Sequence, residues 1–328
     1  MEDPLVIPDL FSSIMCIEPA INRNYAGVKK EADAWIEQIL KQRKEWTSKN
    51  RKANFTFLAS LWAADVDEEA LKVRVDYNNW VICSTYIFLF DDQFDEGHLS
   101  TRHEAAYEEI QATLSLMDDG ECTDISSHEN PIRFIFQDTW RRFKKVSSFN
   151  FIRSKRASTG LQQRWRAAHR HYFDGILAQV RMTEHPELSP RTIDDYMVVR
   201  RRTVGASPIL PLIEYAHNIQ LPTQYFKLEF VQACMNVSFD LTCYGNDVLS
   251  YKKDLSTGCE HNLLIFLQRQ GFFPQEALKI IEGQLNECYK RWFIAQAEIP
   301  IVGREESLEQ EKFLHACKMA PLGQLHWG

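Results

Sequence analysis

The 328-residue sequence has no long basic run, no cysteine pair in C-x-x-C spacing and no Cys/His cluster with zinc-ligand spacing. The tightest basic groups, Arg141-Arg142 with Lys144-Lys145 and Arg200-Arg201-Arg202, are short and sit inside apolar-periodic segments, in a chain of net charge −7. No nucleic-acid partner is expected from such a surface. Cysteines 16, 83, 122, 234, 243, 259, 288 and 317 mostly lie in apolar stretches, where cysteine behaves as a small hydrophobe, so a reduced, cytoplasmic setting is expected. The acidic start, Met1 to Pro4, lacks the apolar core of a signal peptide. The longest uncharged apolar run, Trp80 to Phe90, is too short to cross a bilayer and reads as a buried helix, so no stable membrane insertion is expected. Period-2 alternation and hairpin turns are nearly absent, which leaves no case for a sheet. Repeats, low-complexity tracts and long linkers are missing as well.

What is present is helical periodicity in a chain that is 45% hydrophobic and 12% aromatic, enough to bury a large core. Helices are predicted over Ala26–Lys41, Trp62–Phe90, Ala105–Met117, Pro131–Phe143, Ser158–Arg181, Ile193–Val204, Tyr225–Lys253, Leu263–Gln270 and Gln275–Ala297, with a shorter one over Glu311–Lys318. Asp118-Asp119-Gly120, His185-Pro186, Pro222, Gly258, Gly271 and Pro300 punctuate them, and Ser189-Pro190 suits an N-cap followed by proline at the first helical position. The expectation is one all-α domain over residues 26–328, preceded by an irregular arm over residues 1–25.

Two polar clusters end or interrupt strongly apolar helices. Asp91-Asp92-Gln93-Phe94-Asp95-Glu96 follows the apolar run directly. Positions i and i+4 share a helix face, so Asp91 and Asp95 point the same way. Acidic groups at a helix C-terminus oppose the macrodipole and repel one another unless a cation neutralises them. Taken alone the cluster also reads as a solvated acidic cap. In the second cluster, Asn246, Ser250 and Asp254 fall at i, i+4 and i+8 after the apolar run Phe230 to Tyr244. They line one face with three hard oxygen donors of the kind Mg²⁺ takes. The bland reading there is a polar face, with Ser250 bonded back to a carbonyl. Between the clusters, Arg200-Arg201-Arg202-Thr203-Val204-Gly205 offers arginines suited to phosphate, and Gly205 followed by Pro208 is expected to break a helix.

The two motifs in this order resemble those of class I terpene cyclases, particularly microbial and fungal sesquiterpene synthases, over roughly Ala53 to Gly328. The aspartate-rich motif matches Asp91-Asp92-x-x-Asp95, and the Asn-Asp-x-x-Ser-x-x-x-Glu motif matches Asn246, Asp247, Ser250 and Asp254, with Asp in place of Glu at the last position. Asp254 keeps the carboxylate on a side chain one methylene shorter. The resemblance implies the single-domain isoprenoid synthase bundle around an apolar cavity. It implies three Mg²⁺ ions held by Asp91, Asp95, Asn246, Ser250 and Asp254. It also implies an isoprenyl diphosphate substrate, farnesyl diphosphate by chain size, bound by an arginine and a lysine. Arg201, four residues before Gly205, is taken as the diphosphate sensor with Arg200 as runner-up, and Lys253 as the lysine. Phe88, one turn before Asp91, and Phe239, two turns before Asn246, are placed on the pocket wall, with Trp62, Trp80, Tyr86 and Trp292 as weaker candidates; each reads equally well as core packing. Gly205 marks the break whose free carbonyls would face the carbocation.

Leu322 to Gly328 resembles the lead-in to a C-terminal Arg-Tyr pair in that family, so a truncated C-terminal lid segment is expected. A chain-elongating prenyltransferase is the nearest rival, but it would carry a second Asp-Asp-x-x-Asp where this chain has Asn246 and Ser250. A non-catalytic degenerate homologue is a second rival. A di-iron bundle would need paired Glu-x-x-His motifs, and none stands out. His169 and His171 are expected at the surface or the edge of the core. Monomer and homodimer stay equally open.

Overall fold

The computed structural model describes residues 4–41, 44–64, 66, 87–95, 97–118, 124–144 and 157–328, and among them all regular structure is helical. Most of the predicted Trp62–Phe90 helix lies outside these residues, with Trp80, Tyr86 and Cys83, as do Glu96, Asp119-Gly120 and Cys122. In chain order the helices are α1 Tyr25–Leu40, α2 Lys44–Ala53, α3 Phe55–Trp62, α4 over residues 87–95, α5 His103–Leu114, α6 Pro131–Lys144, α7 Thr159–Glu184, α8 Ile193–Thr203, α9 Ala206–Ala216, α10 Glu229–Thr257, α11 Leu263–Arg269, α12 Pro274–Ala297 and α13 Arg304–Trp327. None of the described helices is long and apolar enough to cross a membrane.

The longest helix among the described residues, α10, lies at the centre of the packing. It buries Val231, Cys234, Val237, Leu241, Cys243, Tyr244 and Val248, and its main neighbours are α12 and α13, with α8 and α11 beside it. A second core region joins α6 to α7. The Trp140 and Trp165 rings stack 4.9 Å apart, with Phe136, Phe143 and Phe173 around them. His169 is fully buried in this aromatic layer rather than at the core edge, and burial holds its imidazole down to about 3, so it is neutral. His171 is exposed.

Several boundaries differ from those read off the sequence, each for a local reason. Trp62 ends α3 instead of opening a helix, and its indole N–H donates to the Ala320 carbonyl of α13. Ser189-Pro190 does not start α8. Thr192 does, because it forms a capping box with Asp195 in which each side chain bonds the other's backbone N–H. The segment after Gly205 resumes at once as α9 despite Pro208 and Pro211. Pro208 falls in the first turn, where its missing N–H leaves no bond unmade, and α9 is buried along its whole length, so packing outweighs the bond lost at Pro211. The short predicted helix over Glu311–Lys318 is the middle of α13, whose inner face of Phe313, Leu314, Cys317, Leu322 and Leu325 runs on to the chain's end.

Gly175 sets the distance between α7 and α8. A Cβ there would sit inside the contact distance of Arg202 Cβ and only 3.1 Å from the Arg202 carbonyl carbon, which is backbone and cannot swing away. Gly175→Ala should therefore lower the melting temperature by the equivalent of about 1–3 kcal/mol, although alanine is the better helix former by roughly 1 kcal/mol. A thermal melt showing a rise would mean that the two helices are not so closely apposed.

Candidate functional site

Four elements meet at one end of the bundle: the end of α4, the middle of α7, the end of α8 and the second half of α10. Asp91 and Asp95 lie one turn apart on α4 and both face α7. The Tyr172 hydroxyl donates to Asp91 Oδ1 at 2.8 Å, and the Gln179 amide donates to Asp95 Oδ1 at 2.5 Å. Tyr172 and Gln179 are seven residues apart and so share a face of α7. Burial is the first cause that raises both carboxyls above the usual range; for Asp91 the neighbouring Asp95 charge adds to it. Asp92 points elsewhere, into an ion pair with Lys49 of α2 at 2.5 Å.

The second cluster is more fully bonded. Asp247 is completely buried and accepts four hydrogen bonds: from Arg200 Nε at 3.0 Å and Nη2 at 2.7 Å, from the Tyr196 hydroxyl at 3.0 Å, and from the Leu263 N–H at 2.9 Å. Arg200 Nη2 also donates to Asn246 Oδ1 at 2.7 Å. The Ser250 hydroxyl donates to Asp254 Oδ2 at 2.5 Å. Asn246, Ser250 and Asp254 thus lie along one edge of α10, with Arg200 clasping its first member.

The two clusters converge. Arg200 acts electrostatically on Asp91 and on Asp95, lowering both. The Cys259 thiol, just past α10, is pushed up to about 12 by burial and then by Asp95 and Asp254 together. An aspartate of the first motif and one of the second therefore bear on the same group. His261 closes the rim, with Nε2 2.6 Å from Thr203 Oγ1, and burial with the adjacent Arg200 holds its ring well below the ordinary histidine range.

The three consecutive arginines diverge, as a helix requires. Arg200 turns into the site. Arg201 reaches α10 two turns nearer that helix's start, where it bonds Asp240, which also receives Arg291 Nη2 of α12 at 2.6 Å. Arg201 is a third exposed at its side chain and Arg200 about a tenth. Lys253 is exposed. Gly205, at φ +73°, separates α8 from α9, and Ile87 Cγ2 lies 3.0 Å from where its Cβ would be, so the break abuts the helix that carries Asp91. Phe88 is half-buried, stacked on Phe55 at 4.7 Å and tilted against Trp327 at 5.1 Å. Phe239 is buried on α10, and Trp292 is buried on α12.

An all-α bundle with two facing polar motifs and an arginine between them defines a class, and the sequence comparisons identify it. Residues 83–291, more than half of the chain, match the family described as terpene synthase family 2, C-terminal metal binding, and the chain belongs to that family. It is 41% identical to (+)-eremophilene synthase of Gibberella fujikuroi, across 98% of this chain and 85% of that protein. It is 36% identical to an inactive (1R,4R,5S)-(-)-guaia-6,10(14)-diene synthase of the same species, across 98% of this chain and 79% of that protein. In structure it superposes on germacradien-4-ol synthase of Streptomyces citricolor with a TM-score of 0.74, covering 95% of each chain at 20% identity, which shows a shared fold.

Asp95 is half-buried and Asp247 fully buried, the two are differently satisfied, and their amides should move stability in opposite directions. Asp95→Asn removes a repelled charge and should raise the melting temperature in chelator by about 2 °C, roughly 1 kcal/mol in a chain of this size. Because the folded pair holds protons above the ordinary aspartate range, the gain should vanish in acid and grow as the pH rises through the raised values. Asp247→Asn leaves the buried Arg200 without its counter-charge and should cost about 3–5 kcal/mol. Equal melting temperatures for the two variants would contradict this picture of the charges.

Proposed function

We propose that this chain binds a linear isoprenyl diphosphate, farnesyl diphosphate in the first place, and ionises and cyclises it to a cyclic sesquiterpene hydrocarbon or alcohol with release of diphosphate. The observation that carries the reading is the buried Arg200, held by Asn246 and Asp247 and felt by Asp91 and Asp95, at the meeting point of two acidic motifs. The family's metal-binding description and relatives that include eremophilene and guaiadiene synthases support the substrate class and the lyase reaction.

The residues fit divalent cations. Asp91 and Asp95 are neighbouring carboxylates that desolvation leaves electrostatically unsatisfied, Asp91 further by the Asp95 charge and Asp95 by that of Asp92. Asn246, Ser250 and Asp254 add amide, hydroxyl and carboxylate oxygens in one row. Among the described residues no three His, Cys, Asp or Glu side chains converge to hold an ion by themselves, as suits Mg²⁺ shared between few carboxylates, waters and substrate phosphates. On this reading Asp91, Asp95, Asn246, Ser250 and Asp254 would hold the three Mg²⁺ ions that the family resemblance implies. When bound, the ions neutralise the charge that gathers on the diphosphate as the C–O bond ionises.

The chain's own groups do the rest. Arg200 binds diphosphate with the guanidinium edge that now meets Asn246 and Thr203, and its charge is assured because Asp247 holds the guanidinium above even its ordinary range against the pull of burial. Arg201, committed to Asp240, is the weaker candidate on geometry. Lys253, at the exposed edge of α10, contributes a point charge to the departing diphosphate. The end of α8 at Gly205 presents carbonyls without helical partners beside Ile87, and their partial negative charge favours a cation without reacting with it. Phe88 and Phe239 supply ring faces for the same purpose.

Farnesyl diphosphate incubated with Mg²⁺ should give a cyclic sesquiterpene by gas chromatography–mass spectrometry, and chelator should abolish it. Asp91→Ala and Asn246→Ala should lose turnover without losing helicity or melting temperature. Arg200→Lys should reduce kcat/KM by about 100-fold or more, as removal of a charge-stabilising donor does, and Arg201→Lys by less than about 10-fold. The reverse order would reassign the sensor to Arg201. Absence of product, with no Mg²⁺-dependent stabilisation by diphosphate, would favour a non-catalytic homologue like the inactive guaiadiene synthase relative.

A further inference from the structure

The turn between α10 and α11 folds back onto the row of oxygen donors. Gly258, at φ +75°, ends α10, and the Cys259 N–H closes the turn on the Asp254 carbonyl at 2.9 Å. Asn262 follows, with no exposed surface at all. Its Oδ1 accepts the Leu264 N–H at 2.9 Å and so caps α11. That bond fixes which way round the amide lies and aims its NH₂ at α10. The NH₂ donates to Asp254 Oδ2 at 2.9 Å and to the Asp247 carbonyl at 2.8 Å, and stands 3.3 Å from Ser250 Oγ.

The cap uses only the oxygen of this side chain, and serine or aspartate would serve it as well. The NH₂ contributes nothing to the cap. Its partners are two members of the proposed cation-binding row and the Asp247 carbonyl one turn before the first of them. Asp254 needs such a partner. It lies in the last turn of α10, where the helix dipole disfavours a negative charge, and among the described residues the only other side chain donating to it is the Ser250 hydroxyl. We propose that Asn262 is a positioning residue: it holds the Asp254 carboxylate in line with Ser250 and Asn246, so that the row is formed before a cation arrives. Groups that orient a metal ligand without touching the metal typically change metal affinity 10- to 100-fold when removed.

This inference rests on the reading of Asn246, Ser250 and Asp254 as a cation-binding face, and the test separates the two. Inorganic diphosphate with Mg²⁺ is titrated calorimetrically into the full chain, beside a thermal melt of each variant. Asn262→Ser keeps the cap but is too short to reach Asp254. Asn262→Asp keeps both the cap and the shape but turns a like charge toward Asp254; should that buried charge unfold the chain, the serine variant carries the test. Both should weaken Mg²⁺-dependent diphosphate binding by about 10- to 100-fold. In the Asp254→Ala background, Asn262→Ser should cost no further affinity, because its partner is gone; a purely structural role would cost the same in either background. A folded Asn262→Ser chain that binds as the wild type does, or one whose loss simply adds to that of Asp254→Ala, would reduce Asn262 to a helix cap. A wild-type chain that shows no Mg²⁺-dependent diphosphate binding would overturn the reading of the face itself.

Discussion

The site depends on the ion pair between Arg200 and Asp247. Neither side chain has much access to water, and a buried pair of this kind persists only when almost every donor and acceptor is used. Asp247 meets that condition with four incoming bonds from two neighbouring helices: Arg200 and Tyr196 of α8, and the Leu263 N–H at the start of α11. One carboxylate thus ties α8 and α11 to α10. The bond from Arg200 to Asn246 follows from this arrangement, because the guanidinium is planar and its second edge lies beside the first.

Asp91 and Asp95 present the opposite condition. They are half-buried, with a tyrosine and a glutamine as hydrogen-bonding partners, and the Asp95 charge bears on Asp91. Local rules argue against such an arrangement, and violations of this kind gather at functional sites. The contrast assigns roles to the two clusters. Asp247 itself has its hydrogen-bonding capacity filled by Arg200, Tyr196 and Leu263 and holds Arg200 in place. The Asp91–Asp95 pair is incomplete, and what it lacks is positive charge.

Legibility in the sequence followed the range of the interaction. The one-turn spacing of Asp91 and Asp95, and of Asn246, Ser250 and Asp254, is a property of a single helix, and reading it needs nothing else. The all-α class was readable for the same reason, and so was the break at Gly205. The choice among Arg200, Arg201 and Arg202 was not readable from the residues, because each step turns 100° round the helix and only the position of α10 says which direction is inward. Asn262, Tyr172 and Gln179 carried no signal of their own, since single polar residues are common on helix faces and at caps. The helix α9 was hidden by its two prolines, because local propensity cannot register how completely that segment is buried. Trp62 was placed at the wrong end of a helix because its determining contact, the Ala320 carbonyl, lies 258 residues away.

Arg201 has a part in this arrangement even though it turns away from the site. Its partner Asp240 is seven residues before Asp247, so the two aspartates lie on the same face of α10, two turns apart. Adjacent arginines on α8 engage both, and Arg291 of α12 braces the first. Sliding α8 along α10 by one turn would leave at least one buried aspartate without a cation, at a cost of several kcal/mol. Buried polar groups are best attested in that role, as devices that set register. Gly175 fixes the other side of α8 by bringing α7 against Arg202, which sets Tyr172 and Gln179 at the depth where they meet Asp91 and Asp95. The position of Arg200 between the two motifs is therefore over-determined, by two charge pairs on one side and a close helix contact on the other, and the break at Gly205 is held against Ile87 by the same constraints.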